Sequence, residues 1–200
     1  MTAFASPPAF LAALAALPQP DEAARTAAIA RQDSLTKPRG SLGRLEDIAI
    51  FMAGWQGHAR PRLDRVSGII YAGNHGVVAR GVSPFSAAVT AQMVANFERG
   101  GGAANALCAA AGIDLAIVPI DLDRPTADFT LAPAMSEEEC LAALNIGAAA
   151  VPKGIDLLIL GEMGIGNSTV AAALCAASFD GAAADWVGPG TGVDASGIAR

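Results

Sequence analysis

The spacing of hydrophobic and polar positions changes several times along the chain, and each change marks an element. From about Pro8 to Gln32, alanine and leucine recur at helical spacing in two blocks divided by the "PQPD" break, and Asp21 is placed to cap the second helix. A turn over Lys37-Pro38-Arg39-Gly40-Ser41 follows, and Ser41 or Gly43 opens a helix with Leu45, Ile48 and Met52 on one face. The one-sided pattern then gives way to a continuous apolar run, "VSGIIYAG", Val66 to Gly73, which predicts a strand. After the loop "GNHGVVARGVSPFS", helical spacing returns through Val89, Met93 and Phe97, and a further helix, "AANALCAAAG", ends at Gly112. "IDLAIVPI" predicts the second strand. "SEEEC" sets Ser136 at an N-cap with Glu139 three residues on, a capping box that opens a helix running to about Ala150. "IDLLILG" predicts a third strand, and Asn167, Ser168 or Thr169 can cap the helix "VAAALCAAS" behind it. "ADWV" reads as one more short strand, and Asp194 as the cap of another helix.

Strands that are apolar throughout and alternate with helices predict the α/β class. The sheet is mostly parallel with helices on both faces, and an N-terminal helical segment precedes it. The segment spans 1–60 and the α/β domain 61–200, with ligands expected at the carboxyl ends of the strands. Three firm strands are few for an open sheet, and the chain stops at Arg200 just as a helix begins. The C-terminal part of the domain is therefore expected to be missing from this chain.

Composition narrows the function. A hydrophobic share of 52% in 200 residues suffices for a core of ordinary size, and only 5% aromatic residues mean that packing proceeds through alanine and glycine. A net charge of −6 without a lysine or arginine cluster gives no basis for holding nucleic acid or an anionic membrane, which leaves a small-molecule partner. "AFLAALAAL" lacks a basic flank, is closed by Pro18 and falls short of the ~20 residues that span a bilayer, so it reads as a packing helix of a cytoplasmic protein. Cys108, Cys140 and Cys175 lie far apart in apolar surroundings and read as buried reduced thiols. With only His58 and His75 to add, no zinc site is expected and no metal is assigned.

The candidate chemistry lies in the loops. "LLILGEMGIGNST", Leu157 to Thr169, delivers Glu162 from a strand end into glycines at 161, 164 and 166, which is neither the dinucleotide fingerprint nor a P-loop. A carboxylate there can act as a base or hold a sugar hydroxyl while the following helix start receives an anion. The plain alternative is that Glu162 only accepts bonds from neighbouring backbone N–H groups. "AGNHGVVARGVSPFS" can form a ligand rim through Asn74, His75, Arg80 and Ser83, or be a solvated loop. "ERGGGAAN" has the glycines of a weak phosphate cradle, though glycines between helices more often just turn the chain. Lys37, Arg39 and Arg44 can meet an anion, or Arg44 can pair with Glu46 or Asp47. "GPGTGVD" is a third glycine-rich loop at a predicted strand end.

In this order, "LTKPRGSLGRLE", "AGNHGV", "GVSPFSAAVTAQMVANFERGGGAAN", "GEMGIGNST" and "GPGTGVD" closely resemble the nicotinate-nucleotide:dimethylbenzimidazole phosphoribosyltransferase family of cobalamin biosynthesis, from about residue 20 to residue 200. The resemblance implies transfer of phosphoribose from nicotinate mononucleotide to 5,6-dimethylbenzimidazole, giving α-ribazole 5′-phosphate and nicotinate with inversion at the anomeric carbon. It implies a homodimer and no cofactor, because a pyridinium leaves as a neutral ring without a metal to neutralise a pyrophosphate. It places Glu162, Gly164 and Asn167 on the nucleotide side of the site, and Ser83, Phe85 and Met93 on the benzimidazole side. The family's proposed base, a glutamate, and a phosphate-binding lysine both lie beyond Arg200, so no catalytic residue is assigned within this chain. Asn74 stands where many relatives carry Asp, which removes a charge and excludes it as a base. Two other functions compatible with the residues are a catalytically inactive module that binds a nucleotide or aromatic base, and a nucleotide hydrolase in which Glu162 activates water.

Overall fold

The computed structural model describes residues 4–199 and divides into two compact units. One comprises Pro8–Val66 with Gly154–Leu157, and the other Ser67–Lys153 with the described residues before Pro8 and after Leu157.

The helical unit is built on α1 (Pro7–Ala15), α2 (Glu22–Ser34) and α3 (Arg44–Gln56). Asp21 caps α2 as its position predicts, its carboxylate accepting from the Ala24 N–H at 2.9 Å. The helices α2 and α3 meet through Ala24, Ala28 and Ala53, all buried. At the crossing, a Cβ on Gly54 would lie 2.6 Å from the Arg25 side chain, so the approach depends on the missing methyl. Gly43, at the start of α3, has φ +54°, a left-handed conformation that explains why a glycine and not Ser41 stands at the cap. Asp156 ties residues 154–157 to this unit: its N–H donates to the Arg65 carbonyl and its carboxylate accepts from the Arg65 N–H, each at 2.8 Å. This unit thus runs to Val66 and takes in residues 154–157.

The α/β unit holds a three-stranded sheet in the order β2–β1–β3, from β1 (Val66–Ala72), β2 (Asp114–Pro119) and β3 (Leu157–Met163). β1 and β2 pair in parallel, with Ser67 opposite Asp114 and Ala72 opposite Pro119. The central strand carries the core through Ile69, Ile70 and Ala72, joined by Val77, Val94 and Ile165. Between β1 and β2 run α4 (Ala88–Glu98) and α5 (Ala103–Ala111), both packed on β2, and between β2 and β3 runs α6 (Glu137–Ala150). The capping box of α6 is formed: the Ser136 N–H donates to Glu139 at 2.8 Å and the Ser136 hydroxyl accepts from the Glu139 N–H at 3.2 Å. After β3 come α7 (Asn167–Ser178) and α8 (Ala195–Ile198), the latter capped by Asp194.

Four expectations need correction. The outer strands are not buried on both faces: β3 has no strand beyond it among the described residues, and Leu160 is 65% exposed. "ADWV" is not a strand; Ala183–Asp185 turns as a short 3-10 helix after Gly181. None of Asn167, Ser168 and Thr169 caps α7, because Gly166 takes the cap position with φ +91°. The cysteines are free thiols, but Cys140 is exposed and the other two only half-buried, in helices that bury at most one residue, Ala172 of α7.

Candidate functional site

The carboxyl ends of β1 and β3 lie side by side, linked by the Gly73 N–H donating to the Met163 carbonyl at 3.1 Å. The loops that leave them, "GNHG" and "GIGNST", therefore share one end of the sheet, where parallel strands present their ligands.

The second loop is held from below. The Thr90 hydroxyl of α4, fully buried, accepts from the buried Ile165 N–H at 3.1 Å. Gly164 has to be glycine because a Cβ would strike both the Gly73 carbonyl oxygen and the Asn167 amide. Gly166 carries its left-handed φ beside Val78 and His75, with 2.9 Å from a hypothetical Cβ to Val78. These constraints set Asn167 at the first residue of α7, facing two partners: His75 Nε2 is 2.5 Å from its Oδ1, and its Nδ2 donates to Glu162 Oε2.

Glu162, Asn167 and His75 line a cleft of about 430 Å³ together with Ser168, Tyr71 and Leu174. Glu162 is exposed to it and Asn167 half-buried. Tyr71 is a neutral wall: its hydroxyl donates to the Gly147 carbonyl at 2.8 Å, and burial pushes its phenol up from the ordinary value. Ala72, Ile120, Val170, Ala171 and Leu174 make the rest of the lining apolar, a mixture suited to a small molecule with one polar end.

A second cavity of about 590 Å³ shares the wall formed by Gly73, His75 and Ile120, and is lined also by Asn74, Met135 and Ile146. Asn74 is buried and structural, its amide donating to the Leu122 carbonyl at 2.9 Å. In this cavity Arg124 is paired with Asp121 at 2.6 Å.

The benzimidazole-side residues lie apart from this cleft. Ser83, Phe85 and Met93 line neither cavity. The Ser83 hydroxyl is 3.2 Å from the Thr191 hydroxyl of the "GPGTG" loop and accepts from the Phe85 N–H at 3.2 Å, while the Phe85 ring is half exposed. Gly190 of the same loop abuts Ser168, where a Cβ would stand 3.0 Å from its hydroxyl. Three motifs distant in sequence, "GVSPF", "GNST" and "GPGTG", thus meet through Ser83, Ser168 and Thr191.

Several polar residues singled out in the sequence are spent on structure. Arg80 pairs with Asp128 at 2.5 Å. The N–H groups of Gly100, Gly101 and Gly102 donate to the Phe97 carbonyl, the Asn96 carbonyl and the Asn105 side chain, so "ERGGGAAN" turns the chain instead of cradling an anion. Lys37 pairs with Glu46 at 2.7 Å, Arg39 with Asp33 and Arg44 with Asp47, both at 3.3 Å. Of the two acids offered to Arg44, Glu46 is taken by the turn that closes over it: Lys37 and the Leu42 N–H hold its carboxyl below the ordinary range. His75 as a partner of Asn167 escaped sequence reading; both flank glycine-rich strand ends, but nothing in their spacing pairs them. No group of three histidine, cysteine, aspartate or glutamate side chains among the described residues is arranged to hold a metal.

A phosphoribosyltransferase family model matches residues 17–200. The chain belongs to the nicotinate-nucleotide–dimethylbenzimidazole phosphoribosyltransferase family. Proteins of that name from Novosphingobium aromaticivorans and Rhodobacter capsulatus are 66% identical over 200 residues and 61% identical over 184 residues. These matches cover 100% and 92% of the chain but 59% and 55% of the relatives, so the chain spans little more than half their length. The crystal structure of CobT from Thermus thermophilus superposes with a TM-score of 0.80 at 38% identity, over 88% of this chain and 59% of that one. The α/β class and parallel sheet agree with that likeness. No described helix is long and apolar enough to cross a membrane.

Proposed function

We propose that this chain carries the nucleotide side of a transferase that moves phosphoribose from nicotinate mononucleotide to 5,6-dimethylbenzimidazole, yielding α-ribazole 5′-phosphate and nicotinate. The observation that carries it is the joint presence, in one cleft, of the Glu162 carboxylate and the start of α7.

In this reading the bond from ribose C1′ to the pyridinium nitrogen breaks with its electron pair going to nicotinate. Positive charge develops on the ribose, and the field of Glu162 favours it. The free benzimidazole nitrogen attacks the opposite face of C1′, which inverts the configuration, while its N–H proton passes to a base outside these 200 residues. Glu162 accepts from a ribose hydroxyl, and the positive end of α7, with the Ser168 hydroxyl, receives the phosphate. Ser83, Phe85 and Met93 serve the benzimidazole side; Ser83 meets Thr191 of the "GPGTG" loop, whose Gly190 abuts Ser168 of the nucleotide loop. We place the reaction in the cytoplasm, in keeping with free thiols at all three cysteines, and in a homodimer. The exposed stripe of Leu45, Ile48, Phe51 and Trp55 on α3 is the kind of surface a second subunit covers. Sedimentation of a single monomer species at micromolar concentration would remove the dimer.

The test is incubation with both substrates and detection of α-ribazole phosphate by mass spectrometry; a full-length gene product that forms none would refute the assignment. Because the chain covers 59% of the first relative, a second reading is a module that binds without turnover. Calorimetric binding of nicotinate mononucleotide with no product supports that module, and turnover by the 200-residue chain excludes it.

A further inference from the structure

We infer that His75 is a positioning residue of this site: through its Nε2–H it orients the Asn167 amide, which holds one oxygen of Glu162 and leaves the other for the substrate. The inference rests on the phosphoribosyl reading for its ligand, but not for its geometry.

A carboxylate has only acceptors, so the atom of Asn167 that faces Glu162 Oε2 is the amide nitrogen. The amide oxygen then faces His75, and an oxygen can only accept. At 2.5 Å from that oxygen, His75 Nε2 must carry the proton. The three residues form one directed chain, Nε2–H to Oδ1 and Nδ2–H to Oε2, in which every donor meets an acceptor. Reversing the amide would set its oxygen against the carboxylate, so Glu162 dictates the tautomer of a histidine on another strand end.

The backbone makes the arrangement rigid at both ends. His75 is fixed between the Gly73 turn and the 126–128 segment: the Thr126 N–H donates to the Asn74 carbonyl at 3.1 Å, and the Gly76 N–H donates back to the Thr126 carbonyl at 2.9 Å. Gly76 admits that approach, since a Cβ there would lie 2.5 Å from the Thr126 oxygen. At the other end, Gly164 leaves the space that the Asn167 amide occupies, since a Cβ there would strike both that amide and the Gly73 carbonyl oxygen. With Oε2 engaged, Oε1 has no hydrogen-bond partner among the described residues and is the atom left to accept from a ribose hydroxyl.

The chain has two histidines, so long-range nitrogen–proton correlation NMR resolves His75 with His58 as internal control. At neutral pH His75 is expected with its proton on Nε2; a proton on Nδ1 alone overturns the inference. His75→Phe should weaken nicotinate mononucleotide binding about tenfold by calorimetry, whereas His75→Gln, whose amide N–H reaches the same region, should stay within about threefold of wild type. Equal affinity of wild type and His75→Phe overturns the positioning role. If the Phe variant does not fold, the wild-type tautomer and the Gln variant decide, and a Gln variant that binds no nucleotide counts against the role. A wild type that shows Nε2–H yet binds no nicotinate mononucleotide keeps the hydrogen-bond chain and overturns the phosphoribosyl reading instead.

Discussion

At Gly164 the absence of a side chain is what lets Asn167 stand between His75 and Glu162. The obstruction a Cβ would meet includes the Gly73 carbonyl, which belongs to the backbone that couples β1 to β3 and has nowhere to go. Gly164→Ala is therefore expected to destabilise the protein by ~1–3 kcal/mol, the usual range for overpacking, and to abolish nucleotide binding. Thermal denaturation and calorimetry on the purified variant check both; unchanged values for both would mean the loop yields where the packing says it cannot. At the same scale Lys37, Arg39 and Arg44 each have an acidic neighbour at ion-pair distance within the helical unit.

Among the elements, α4 matters to the site without touching a cleft. Its buried Thr90 hydroxyl satisfies the Ile165 N–H, and Ile165 is itself buried. Thr90→Val keeps the volume but leaves that N–H without a partner, a cost of ~1–3 kcal/mol, and Thr90→Ser should recover most of it. Urea denaturation of the two variants separates hydrogen bond from packing: a larger loss in Thr90→Val than in Thr90→Ser assigns the effect to the hydroxyl, whereas a loss confined to Thr90→Ser would assign it to the methyl group. For α6, removing the capping hydroxyl in Ser136→Ala should cost ~1 kcal/mol. A shift in the denaturation midpoint without change in the cleft's ligand affinity is the expected signature, since Ser136 does not line the Glu162 cleft.

For the molecule as a whole, acid is the condition that removes stability. In the helical unit Lys37 holds the Glu46 carboxyl low. In the α/β unit the Thr130 hydroxyl, then Arg80, does so for Asp128, and the Ser136 N–H does so for Glu139. A carboxyl whose folded value lies below its unfolded value binds fewer protons when folded. Its contribution is thus complete above the unfolded value, ~4, and is lost as pH falls through the folded one. The denaturation midpoint should therefore fall as pH is lowered from about 5 toward 3, and Lys37→Met should remove the Glu46 share. A midpoint that rises on acidification contradicts these pairings.

Much of the architecture is legible in the sequence. Asp21, Ser136 with Glu139, and Asp194 sit at helix starts because capping is a local bond between residues three apart, and local bonds are written in local spacing. The parallel α/β class follows in the same way from the alternation of apolar runs with helical spacing, and Glu162, Gly164 and Asn167 stand close together because they lie in one contiguous motif. What the tertiary structure decided is everything that joins residues far apart in the chain. It brought residues 154–157 back to the helical unit, left the edge strand β3 partly open, and spent the "ERGGGAAN" amides on an internal turn. It also set His75 against Asn167 across 92 positions of sequence. Periodicity reports which face of an element is apolar, whereas partners across a sheet end depend on strand order and register, which no single stretch of sequence contains.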